Sequence, residues 1–124
     1  MASGIAVRGN VLAVTWSSVA GHVFLFDLDA QQRVAAWTLP PGSRGYCDAA
    51  GVAMDEHYHV FVADTNNDRI CHCNAFGRHL GDFGVPPPDD GDAGRDRVGV
   101  LDRPHALALW GDVLFVACGE QPRR

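Results

Sequence analysis

Apolar residues in this chain fall in short runs, separated by polar clusters or by clusters containing glycine and proline. The clearest series lies between Gly51 and Gly84. Val52 and Met54 form one run and Val60-Phe61-Val62 the next, with Asp55-Glu56-His57-Tyr58 between them. Short β-branched and aromatic runs broken by polar residues predict strands. A third run, Arg69-Ile70-Cys71-His72-Cys73, alternates in character, which places Ile70 and His72 on one face and Cys71 and Cys73 on the other. The fourth, Arg78 to Phe83, alternates more weakly, as an outer strand does. Asp64-Thr65-Asn66-Asn67-Asp68 predicts a structured turn, because Asx and Thr side chains bond nearby backbone groups. Asn74-Ala75-Phe76-Gly77 closes the last hairpin. The whole stretch predicts a four-stranded antiparallel meander.

Weaker copies lie on both sides. Gly4-Ile5-Ala6-Val7 and Ala106-Leu107-Ala108-Leu109 match Gly51-Val52-Ala53-Met54, and each is followed by a short turn and an apolar strand. Gly4 and Gly51 are 47 residues apart, and Gly51 and Ala106 are 55 apart. Two whole units are expected, at about 4–39 and 51–84, and a half unit at 104–118. Residues 85–103, with Pro86-Pro87-Pro88 and several aspartates, read as a long surface loop. A fixed supersecondary unit repeated at this spacing is the signature of stacked repeats.

The central copy resembles the NHL repeat. Gly51-Val52-Ala53-Met54-Asp55, then Val60 through Ile70, then Phe76-Gly77 and Phe83-Gly84 carry the likeness, and Trp16 and Cys118 stand where this copy has Asp64. The resemblance implies an all-β fold of β-propeller blades, with each first strand lining a central channel. Two and a half blades do not close a ring, so completion by oligomerisation, or a fragment of a longer propeller, is implied with them. The resemblance also casts Asp64, Thr65, Asn67 and Arg69 as structural residues of the repeat turn.

The chemistry-bearing residues sharpen this picture. Arg103-Pro104-His105-Ala106 resembles the zinc-histidine repeats of peptidyl-hydroxyglycine amidating lyase, which makes His105 a candidate zinc ligand at a channel. A catalytic zinc needs three protein ligands, and the matching positions in the other copies are Ser3 and Ala50. Cys71-His72-Cys73 cannot share one ion, since alternation turns His72 away from both cysteines. Asp89, Asp90, Asp92 and Asp96 are acidic enough to suggest calcium, but no glutamate closes such a loop. No cofactor is therefore called for, with zinc and calcium as the metal alternatives.

Composition narrows the function classes. All ten basic residues are arginine, so lysine Schiff-base and P-loop chemistry are excluded. A net charge of -5 argues against nucleic acid as a partner. The opening residues lack a signal pattern and no apolar run reaches membrane-span length, so a soluble, cytoplasmic chain with no membrane partner and free thiols at its four cysteines is expected. The function expected is a non-enzymatic binding or assembly scaffold that self-associates or holds another protein. Trp16, Trp110, Tyr58 and His105 are its candidate contacts, and the metal-dependent lyase is the alternative.

Overall fold

The computed structural model describes residues 1–84 and 100–119. The acidic cluster of the predicted loop lies outside these residues. The described residues form ten strands: β1 (Ala2–Arg8), β2 (Val11–Ser17), β3 (Gly21–Asp27), β4 (Gln32–Thr38), β5 (Ala49–Met54), β6 (Val60–Asp64), β7 (Arg69–Cys73), β8 (His79–Phe83), β9 (Pro104–Trp110) and β10 (Val113–Cys118). They make two four-stranded antiparallel meanders, sheet I (β1–β4) and sheet II (β5–β8), and a two-stranded hairpin, β9–β10. The described chain is thus all-β, as the pattern predicts. Strands begin two residues before the expected units, at Ala2 and Ala49. Trp16 lies inside β2 rather than in the turn that follows it. No helix among the described residues is long and apolar enough to cross a membrane.

The three copies share one pairing register in their first two strands. Val7 pairs Leu12, Met54 pairs Val60 and Leu109 pairs Leu114. At the far end Ala2 pairs Trp16, Ala49 pairs Asp64 and Pro104 pairs Cys118, each beyond a register shift. The side-chain period of two then assigns equivalent residues to equivalent faces. In sheet II, Val52, Met54, Val60, Val62, Cys71 and Cys73 share the leading face. They bury with Ala13, Val23 and Leu25, on the trailing face of sheet I, in one apolar cluster. The hairpin repeats this arrangement, turning Leu107, Leu109, Leu114 and Val116 toward the trailing face of sheet II.

First strands stack very closely at these interfaces. A Cβ on Gly4 would stand 2.6 Å from the Ala50 carbonyl oxygen. One on Gly51 would stand 2.8 Å from Ala106 Cα and 2.9 Å from the His105 oxygen. Glycine is needed here because a neighbouring backbone occupies the space of a side chain. The third copy has Ala106 at this position, where no described strand packs. Among the described residues, only sheet II has another element packed against each of its faces. The leading face of sheet I leaves Ile5 68% and Val7 59% exposed, and the trailing face of the hairpin leaves Trp110 77% and Phe115 56% exposed.

Gly51→Ala is expected to force β5 and β9 apart and to lower stability by about 1–3 kcal/mol, as overpacking does. Gly81→Ala, with nothing within 4 Å of its added Cβ, is expected to stay within about 0.5 kcal/mol of the parent. Urea denaturation of the two variants side by side checks this.

Candidate functional site

The polar residues that stand out in sequence converge on the turn between β6 and β7. Asp64 ends β6 fully buried, a short 3-10 turn spans Thr65–Asn67, and Asp68 takes a left-handed conformation with φ of 53°. That conformation returns Arg69 to face Asp64 across the ladder. Arg69 Nε donates to Asp64 Oδ2 at 2.8 Å and Nη1 donates to Asp82 Oδ2 at 3.1 Å, while Nη2 donates to the Pro40 carbonyl. Asn67 Nδ2 donates to the same Asp64 oxygen at 2.7 Å, and the Asp48 amide donates to Asp64 Oδ1 at 2.9 Å. Burial opposes the Arg69 charge, but the Asp64 bond and the nearby acidic groups outweigh it and raise the Arg69 pKa.

The same turn fastens neighbouring segments. Asn67 Oδ1 accepts from the Arg44 amide at 2.7 Å, and its Nδ2 also donates to the Tyr46 carbonyl at 3.0 Å. Thr65 Oγ1 donates to the Pro104 carbonyl at 2.6 Å, and the Arg103 amide donates to Asp68 Oδ1 at 2.8 Å. These bonds tie sheet II to the linker before it and to the hairpin after it. The Asp64 carboxylate accepts three bonds and the Arg69 guanidinium is engaged on three sides. Buried groups tied to this many partners position the backbone and are held away from any substrate.

Among the described residues, one group of three metal-ligating side chains comes together, Cys71, His79 and Asp82, with ligand atoms within 4.8 Å of one another. Its chemistry suits a cation poorly. Arg69 and His79 already hold the Asp82 carboxylate, at 3.1 and 2.7 Å. Burial pushes that carboxyl up, but these two partners more than reverse it and leave it below its ordinary value. The Cys71 thiol is fully buried beside Cys47, and that neighbour and the burial both drive its pKa well up, away from the thiolate a metal needs. Cys73, also raised by burial, lies on the same face, and His72 points to the other. Cys47, Cys71 and Cys73 are free buried thiols.

The candidate contact residues do not converge. Trp16, 42% exposed, lines a cavity of about 910 Å³ on the leading face of sheet I, with Val14, His22, Phe24, Phe26 and Arg33. The Arg33 guanidinium lies 5.9 Å from the Phe24 ring centre. Trp110 lies on the opposite side of the stack. Tyr58 holds a left-handed turn position, with φ of 62°, between β5 and β6. His105 is exposed on β9, and among the described residues it belongs to no group of three potential ligands.

A further cleft of about 430 Å³ lies between sheet II and the hairpin, and nothing in the pattern of the chain marks it. Phe61, His72 and Phe83 form its floor, with Leu109 and Leu114 on the hairpin side. The Phe61 and His72 rings stack 4.5 Å apart at 7°. His72 Nε2 lies 2.8 Å from His59 Nδ1. Burial first, and then His59, lower the His72 pKa, with Asp55 working against them. The alternation of β7 places His72 on this face, but the His59 contact depends on the five-residue turn before β6.

No protein-family model matches the chain, and no curated protein matches it either.

Asp64→Ala leaves the Arg69 guanidinium buried without its main partner, and a loss of about 3–5 kcal/mol is expected from urea denaturation. The pKa of His72 is lowered in the fold, so its contribution to stability is complete above about 6.5, the ordinary value. That contribution is lost as the pH falls below this value, because the unfolded chain then takes up the proton more readily. Denaturation midpoints from pH 7.5 to 5 are expected to fall, and His72→Gln to flatten that fall.

Proposed function

We propose that this chain is a binding and assembly module of the NHL-repeat β-propeller type, working through its unpartnered sheet faces rather than through catalysis. One observation carries the reading. The leading-face positions of sheet II and the hairpin are covered by the preceding sheet, whereas the equivalent positions of sheet I are open. Val14, Trp16, Phe24 and Phe26 there surround a cavity large enough to take side chains from another sheet. The trailing face of the hairpin, with Trp110, Val113 and Phe115 exposed, is the repeat-equivalent complement. A second copy placed head to tail joins these two faces in a heterologous contact of the kind already present twice within the chain.

The two seams are not equal. Ala106 stands at the trailing face where the internal interfaces have Gly4 and Gly51, so two copies meet at a wider backbone spacing than the internal sheets do. The contact between copies is therefore weaker than those within the chain. Association at tens of micromolar is expected in light scattering. Phe24→Asp, which puts a carboxylate in the apolar seam and removes the ring, is expected to abolish it. Ala106→Gly is expected to tighten it several-fold. A parent chain that stays monomeric throughout would overturn the assembly reading.

A further inference from the structure

We propose that the free edge of β10 is a strand-addition site, taking an extended segment with large apolar side chains at alternate positions on one face. This site is independent of the face-to-face contact between copies.

The repeat itself defines the missing partner. β2 pairs β3 and β6 pairs β7 along the edge away from the first strand. β10 occupies the same place in the hairpin, and among the described residues no strand pairs with that edge. Its composition is that of an interior strand. Val113-Leu114-Phe115-Val116-Ala117-Cys118 contains no charged residue and no proline. By contrast, the true outer strands carry charge or imidazole: Arg33 on β4, and His79 and Asp82 on β8. Exposed edges are ordinarily protected by such residues, and β10 has none.

The surface opposite this edge is uncovered as well. A third strand beside β10 would place its leading face over the back of sheet II. That is where Phe61, His72 and Phe83 floor the 430 Å³ cleft and Phe83 is 46% exposed. In the two complete sheets the matching third-strand positions are Phe24 and Phe26, and Cys71 and Cys73. The β3 pattern fits β10 better than the β7 pattern. Arg69 of β7 requires Asp64 opposite it, whereas Cys118 stands at that place in the hairpin, as Trp16 does opposite His22 in sheet I. The segment recognised is therefore apolar and aromatic at alternate positions, without a buried arginine. Ladder hydrogen bonds bind it, and the aromatic floor selects its side chains.

The test uses the Phe24→Asp protein, kept monomeric, and a synthetic peptide of residues 18–39, which carries the β3 and β4 sequences. Hydrogen exchange is followed at the β10 amides. Saturating peptide is expected to slow exchange across Val113–Cys118 by tenfold or more and to shift the ring resonances of Phe61, His72 and Phe83. The same peptide N-methylated at the β3 amides that pair with β2 is expected to give neither effect, nor is a peptide carrying Phe24→Asp and Phe26→Asp. Unchanged exchange at millimolar peptide, or equal protection by the N-methylated peptide, would overturn the proposal. Either result would leave the association measurements on the parent chain unaffected.

Discussion

A β-sheet with apolar residues on both faces needs a neighbour on each, and among the described residues sheet II is the one sheet that has both. Its leading face joins sheet I in a single apolar cluster and its trailing face meets the hairpin. The rest of the chain is arranged around that requirement. Gly4 and Gly51 let the first strands approach to within the space of a missing Cβ. The turn after β6 then ties the linker and the start of the hairpin to sheet II, through Asn67, Thr65 and Asp68. Removing the contacts on either side would leave sheet II with the same exposed apolar surface that its neighbours now carry.

Polar chemistry and open surface are segregated in this molecule. The residues that look most chemical are engaged or protected: Asp64, Arg69 and Asp82 bond one another, and burial favours the neutral thiols of Cys71 and Cys73. Their contribution lies in local geometry, and the strength of the Asp64–Arg69 pair comes from the absence of water around it. The surfaces with unspent capacity are apolar: the leading face of sheet I, the trailing face of the hairpin and the edge of β10. Capacity of that kind suits association better than bond-making, since apolar contact is non-directional and needs no activated group.

Most of the architecture was legible in the chain because β patterning is local. Short apolar runs, alternation and Asx-rich turns suffice for the four-stranded meander. The three matching tetrads at Gly4, Gly51 and Ala106 reveal its repetition before any contact is known. The opposite orientations of His72 and the Cys71–Cys73 pair follow from the period of two alone. The cleft floored by Phe61, His72 and Phe83 was hidden, because it exists only where a two-stranded element packs on a four-stranded one.

Strand content, the repeat and the face each side chain takes were all readable from the chain, because they follow from spacing along it. Which faces and edges remain free is settled only by packing. The same apolar alternation describes Val62, buried against sheet I, and Phe115, exposed on the hairpin. Nothing local distinguishes them. The difference is whether another sheet stands in front, and that depends on the order in which the three units stack.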